Sequence, residues 1–197
     1  MQPESLHAPY RKRCKRWNIP GQGHCLTFSC FRRQPFLARE RVRCWLAEAL
    51  VAAREKHNFR VIAWVFMPEH AHLLLWPREQ EYSVSKMLSS IKLPVAIKSR
   101  GFVLKHAPGL LPRMLDQQPN GSRAFRIWQR GGGYGRNIYS PEELWEKIQY
   151  IHNNPVRRKL AARATEWEWS SAADYAHCRI GPPPIPVDND NLPWPSG

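Results

Sequence analysis

Apolar residues fall along this chain in short blocks whose spacing changes from one block to the next. The segment from His24 to Phe31 is rich in β-formers and follows the Gly21-Gln22-Gly23 punctuation, which predicts a strand. From about Phe36 to His57, Leu37, Val42, Trp45, Leu46, Leu50 and Ala53 recur near the 3.6-residue period with no Pro or Gly between them, which predicts a helix. Arg60 to Phe66 is a nearly continuous apolar run of strand length. Met67-Pro68-Glu69 turns the chain, and His70 to Trp76 returns, so the two runs form an antiparallel hairpin. Ser83 to about Ser99 reads as a second amphipathic helix with Val84, Met87, Leu88, Ile91 and Val95 on one face, kinked or split at Pro94. Residues 101–125 hold Pro108, Pro112, Pro119 and several glycines and read as a long loop. Phe125 to Gln129 fits a strand, and Gly131-Gly132-Gly133 follows it. Ser140-Pro141-Glu142-Glu143 opens the last helix: Ser140 caps, Pro141 fits the first helical position and Glu143 completes a capping box. That helix runs to about Asn154, where Pro155 perturbs it.

The order β-α-β-β-α-β-α predicts an α+β fold, a ferredoxin-like antiparallel sheet with helices packed on one face. Three segments are expected: a basic arm over 1–20, one domain over 21–176 and a Pro-rich, loose tail over 177–197.

Charge adds a partner. The 197 residues carry 30 Lys and Arg against 16 Asp and Glu, a formal charge of +14. Residues 165 onward hold one cation, Arg179, against five acids, so the excess lies in the body of the chain. A globular body this basic most often meets nucleic acid. No apolar run approaches the length that spans a bilayer, and the first residues contain no secretory h-region. The five cysteines form no C-x-x-C pair and read as reduced thiols in a cytoplasm, with Cys25 and Cys30 in the core.

Three constellations bear chemistry. His70 and His72 alternate with Ala71 on a strand and so share a face; they are either two hydrogen-bonded histidines or a grip for one divalent cation. On the capped helix, Leu144, Ile148 and Ile151 form the apolar stripe, while Glu143, Lys147, Tyr150 and Asn154 line another face. A phenol can be a nucleophile and an Asn can give a metal an oxygen; the plainer reading is a half-buried aromatic and a helix-ending Asn. Trp128, Arg130, Tyr134 and Arg136 interleave cations with aromatics around the glycine turn, as in sites for single-stranded nucleic acid. Trp145, Trp167 and Trp169 read as packing residues.

Together these strings resemble a family. Met67-Pro68-Glu69-His70-Ala71-His72-Leu73-Leu74-Leu75 is similar to the histidine–hydrophobic–histidine strand of the HUH nucleases. Tyr150-Ile151-His152-Asn153-Asn154-Pro155-Val156-Arg157 is similar to the nucleophile helix of their single-tyrosine branch. Trp128-Gln129-Arg130 and Trp169-Ser170-Ser171 with Tyr175 resemble further segments of that branch, best matched by the REP-associated tyrosine transposases of the IS200-like family. The resemblance covers roughly residues 20–176, with Glu69 standing where the family usually has Asn.

The resemblance implies an HUH endonuclease and DNA transposase. In it, His70, His72 and Asn154 hold Mg²⁺ or Mn²⁺, Mn²⁺ being the easier ion for imidazole. Tyr150 attacks a phosphodiester of single-stranded DNA near a palindromic hairpin, giving a 5′-phosphotyrosine and a free 3′-OH, and the strands can be rejoined. Phosphate contacts are assigned to the arm (Arg11, Lys12, Arg13, Lys15, Arg16), to Arg130 and Arg136, and to the cluster Arg157, Arg158, Lys159 and Arg163. No organic cofactor and no membrane is implied. The setting is a bacterial-type cytoplasm, at the nucleoid, and the protein acts as a monomer or homodimer. The alternative is a catalytically silent, domesticated protein that holds hairpin DNA or RNA.

Overall fold

The computed structural model describes residues 18–118, 120–131 and 133–193. Strand β1 (Gly23–Ser29) leads through a turn at Phe31–Arg33 into helix α1 (Glu40–His57). Strands β2 (Phe59–Met67) and β3 (His70–Pro77) form the expected hairpin, and helix α2 (Val84–His106) follows, capped by the Ser83 side chain. A short helix α3 (Leu111–Met114) and strands β4 (Leu115–Gln117), β5 (Arg123–Phe125) and β6 (Tyr134–Ile138) precede helix α4 (Pro141–His152). Two single turns, α5 (Asn154–Arg157) and α6 (Ala172–Tyr175), come last.

The main sheet has the order β2-β3-β1-β6, antiparallel at every step, so the α+β antiparallel class holds. Its faces divide by the two-residue period of strands. Leu26, Phe28, Trp64, Phe66, Ala71, Leu73 and Leu75 face α1 and α2. Cys25, Val65, Met67, Leu74 and Ile138 face α4, whose Leu144, Ile148 and Ile151 are buried on them. Helices therefore cover both faces rather than the expected one, because the second face of the hairpin is as apolar as the first. Burial raises the Cys25 thiol to about 11 and the Cys30 thiol to about 12, so both behave as small core residues.

Four local expectations change. Helix α2 passes through Pro94 and continues to His106, because Pro94 lies on the exposed side while Met87, Ile91, Val95 and Val103 hold the buried side. Much of the expected 101–125 loop is thus the end of α2, α3 and the β4–β5 hairpin, where Asp116 draws in Arg126, Arg130 and Gln118. The fourth strand of the main sheet is β6, not 125–129; Ile127 to Gln129 only bridge to the end of β1. Gly133 makes the entry to β6 possible: its φ is +73°, and a Cβ there would overlap the Thr27 carbonyl oxygen.

The loose tail is the fourth correction, for residues 177–193. Ile185 is fully buried, Trp64 Nε1 donates to its carbonyl, and Asp188 pairs with Val61 through both its N–H and its carboxylate. Proline-rich sequence here is a strap along an edge strand, stabilised by side chains distant in sequence.

Candidate active site

Where β1 and β3 lie side by side, Thr27 pairs with His72 and Ser29 with His70 in the register. Both histidines point to the face under α4, as their spacing predicts, and both are buried. Their Nε2 atoms stand 3.0 Å apart. Behind them, His70 Nδ1 meets Glu69 Oε1 at 3.1 Å, and His72 Nδ1 meets Thr27 Oγ1 at 2.7 Å. Arg158 Nη1 donates to the same Glu69 oxygen at 2.9 Å. A carboxylate only accepts, so the His70 proton sits on Nδ1 and its Nε2 lone pair faces His72.

Helix α4 brings the other half. Ser140 accepts from Glu143 N, as the capping motif foretells, but Glu143 Oε2 accepts from Tyr139 N, one residue before the cap, so the reciprocal half of the expected box is shifted. The buried stripe then aims Tyr150 at the histidines. Its ring lies perpendicular to that of His72 with centroids 5.5 Å apart, and it remains 39% exposed. Asn154 Nδ2 donates to the Tyr150 carbonyl at 2.7 Å, which leaves its amide oxygen without a hydrogen bond among the described residues.

These groups line one cleft of about 660 Å³ with Cys25, Ser29, Arg33, Tyr134, Lys147, Arg157 and Arg158. No carboxylate is among its lining residues, so the cleft suits an anion. A larger recess of about 790 Å³ lies on the other face, lined by Phe36, Trp45, Phe102 and Met114 among others, away from the histidines.

Burial pushes the His72 imidazole down to about 3, and the neighbouring His70 charge adds to this. His70 is also lowered by burial, against the pull of Glu69. Burial alone would raise Glu69, but His70 and Arg158 outweigh it and hold the carboxyl below its ordinary value. The pair is thus neutral imidazole near neutral pH, the form that binds metals. The two Nε2 atoms, now hydrogen-bonded to each other, are close enough to serve one ion as neighbouring ligands. Among the described residues no group of three or more His, Cys, Asp or Glu gathers into a metal cage, so a further donor must be of another type, such as the Asn154 amide.

The sequence-derived DNA contacts separate. Arg157, stacked 5.3 Å over the Tyr150 ring, and Arg158 lie in the cleft. Arg130 pairs with Asp116, Arg136 with Glu143 and Arg163 with Glu166, and none of these or Lys159 lines the cleft. Arg11, Lys12, Arg13, Lys15 and Arg16 lie outside the described residues. Trp128 is no base platform: it is buried against Phe28 and donates to Lys92 O. Trp167 donates to Phe66 O and Trp169 stacks on Phe66, as packing residues. Thr27 and Arg33 escape sequence reasoning. The alternation Cys25, Thr27, Ser29 marks a polar face on β1, but its register against β3 is non-local.

A four-stranded antiparallel sheet thus carries a histidine pair on one face, with a tyrosine helix laid across it. Among solved structures, the chain is similar to a REP-associated tyrosine transposase bound to a REP hairpin, with a TM-score of 0.62 and 22% identity over 93% of this chain and 94% of that one. It is also similar to a candidate transposase from Deinococcus radiodurans R1, with a TM-score of 0.42 and 21% identity over 71% of this chain and 95% of that one. No protein-family model and no curated protein matches the chain. The first likeness establishes a shared fold. No helix among the described residues is long and apolar enough to cross a membrane.

Proposed function

We propose that the protein is a metal-dependent, tyrosine-nucleophile endonuclease and strand transferase of the IS200-like family, acting on single-stranded DNA near hairpins. The observation that carries this reading is the perpendicular approach of Tyr150 to His72 within a cleft lined by cations. The hairpin-bound neighbour of the same fold supports hairpin DNA as substrate. His70, His72 and Asn154 would hold Mn²⁺ or Mg²⁺. Such an ion polarises a phosphate and offsets the charge that develops during displacement.

Arg157 and Arg158 hold the phosphodiester by charge-assisted hydrogen bonds while Tyr150 Oη is directed at phosphorus. The Tyr150 O–P bond forms and the P–O3′ bond breaks. The phenol proton leaves to water or a nearby base, and the departing 3′ oxygen takes up a proton. A phosphoester replaces a phosphoester, so the reverse reaction with a new 3′-OH rejoins strands without ATP.

Labelled hairpin DNA with a single-stranded extension, incubated with Mn²⁺, should give a denaturant-resistant protein–DNA adduct with wild type and none with Tyr150→Phe. Equal cleavage by both proteins would remove Tyr150 from the chemistry. Binding without any adduct in wild type would favour a hairpin-holding protein that does not cut.

A further inference from the structure

Four cations line the cleft, and three are already engaged. Lys147 pairs with Glu146, Arg157 stacks on Tyr150 and Arg158 bonds Glu69. Arg33, the fourth, makes no side-chain hydrogen bond or ion pair with any described residue. It enters from the turn between β1 and α1, an element separate from the tyrosine helix.

The backbone that delivers it is unusual. Arg32 and Arg33 both have φ of 51°, a left-handed conformation in which a β-carbon is crowded and glycine is favoured. The turn is nonetheless held from several sides. Phe31 N donates to Ile127 O at 2.8 Å, Arg33 N to Cys30 O at 3.1 Å, and Arg32 N to the Gln129 side-chain oxygen at 3.1 Å. Gln129 is the middle residue of the Trp128-Gln129-Arg130 string, so that string has a structural use here: it pins the turn that presents Arg33. Strain of this kind persists where the surroundings over-determine it, and it gathers at sites that bind or react.

We infer that Arg33 is a phosphate-binding residue of the cleft, gripping the non-bridging oxygens of a substrate phosphodiester alongside Arg157 and Arg158. The inference rests on the nuclease reading above, and its test is separable from the test of that reading. In a Tyr150→Phe background, oligothymidylate binding is measured by fluorescence anisotropy over a series of salt concentrations. Thermal unfolding of the same proteins is followed in parallel.

Arg33→Ala and Arg33→Gly should each weaken binding about tenfold. Each should also lower the slope of log affinity against log salt by about 0.7, the share of one phosphate contact on a single strand. Arg33→Lys should restore the slope. Arg33→Gly should unfold at a temperature no lower than its parent, since glycine relieves the left-handed backbone; a purely structural role would not produce weaker binding in an equally stable protein. Unchanged affinity and slope in Arg33→Gly would overturn the inference and leave the nuclease reading intact. A fall in stability that accounts for the lost binding in both variants would overturn it too. If the parent binds neither oligothymidylate nor hairpin DNA, the nuclease reading falls and takes this inference with it.

Discussion

The Nε2 atoms of His70 and His72 face each other at 3.0 Å, each ring held from behind through its Nδ1. The two rear partners differ in kind. Glu69 can only accept, and so fixes His70 with an open Nε2; the Thr27 hydroxyl can donate or accept, and so allows His72 either tautomer. In the absence of metal, His72 can donate across the gap to His70. Were a cation held by the pair, His72 would carry its proton on Nδ1 and the Thr27 hydroxyl would accept it, leaving both Nε2 lone pairs for the ion.

Glu69→Ala should weaken Mn²⁺ binding about 10- to 100-fold, the usual cost of removing the partner of a ligating histidine. Titration followed by the Mn²⁺ electron paramagnetic resonance signal reads this without reference to cleavage. Glu69→Gln keeps an acceptor for the His70 N–H and loses the charge that attracts Arg158, so its loss should be smaller. If Glu69→Ala binds Mn²⁺ as wild type does, the carboxylate has no part in holding His70.

Thr27→Val removes the hydroxyl behind His72 while keeping the branched shape that suits β1. Mn²⁺ affinity should fall, and Thr27→Ser should recover most of it. Wild-type affinity in Thr27→Val with a loss in Thr27→Ser would show that the methyl packing, rather than the hydrogen bond, matters.

The Trp169-Ser170-Ser171 segment has its effect on stability. Ser171 Oγ accepts from Trp64 N at 3.0 Å and from His152 Nε2 at 2.9 Å, and donates to Trp64 O at 3.2 Å. With Phe66 N on Trp169 O, it closes the exposed side of β2. Ser171→Ala leaves two buried donors unpaired and should cost about 2–3 kcal/mol. For a chain of this size that is a fall in Tm of roughly 5–10 °C. Mn²⁺ affinity of the folded protein should not change, which separates this serine from the site residues.

How much of this was legible in the sequence follows from distance along the chain. The histidine pair and the capped tyrosine helix are local patterns, and period and capping chemistry place both correctly. Thr27 and Arg33 lie more than 35 residues before either histidine, and only the β1–β3 register and the turn at Phe31–Arg33 bring them in. β6 was hidden because Tyr134-Gly135-Arg136-Asn137-Ile138 lacks apolar alternation; it is held by pairing with β1 on one side only. The tail was hidden for the opposite reason: its prolines suggest disorder, while Ile185 and Asp188 find partners more than 120 residues earlier.

His152 gives stability a pH dependence. Burial lowers its pKa from 6.5 to about 4, with Asp174 opposing weakly. The folded form therefore binds its proton later than the unfolded chain does as pH falls. The stability is present in full above about 6.5, declines as pH falls, and levels off below about 4. Its full extent is on the order of 3 kcal/mol. Urea unfolding in metal-free buffer should show this slope, and His152→Gln, which keeps a donor for Ser171 but does not titrate, should flatten it. His72, lowered further, and His70 contribute in the same direction to the slope that remains.

Asp188 tests the strap. Its carboxylate accepts from Arg54 Nη2 at 2.6 Å and from Val61 N at 2.9 Å, while its own N–H donates to Val61 O at 2.8 Å. These bonds fasten the tail where β2 carries an irregularity between Val61 and Ala63. Asp188→Ala should cost about 2 kcal/mol, because Val61 N–H and Arg54 lose a charged acceptor together. Removing residues 177–197 should cost more, since it also uncovers Trp64 and the cavity that Ile185 fills. It also leaves part of an edge strand unpaired, so the truncated protein should associate at high concentration, as sedimentation velocity would show. The tail touches α4 at Trp145, whose Nε1 donates to Pro193 O, but none of residues 177–193 lines the cleft. Adduct formation per folded molecule should therefore match wild type below the lowered Tm; a loss of chemistry at full folding would mean that the strap reaches the site through the sheet.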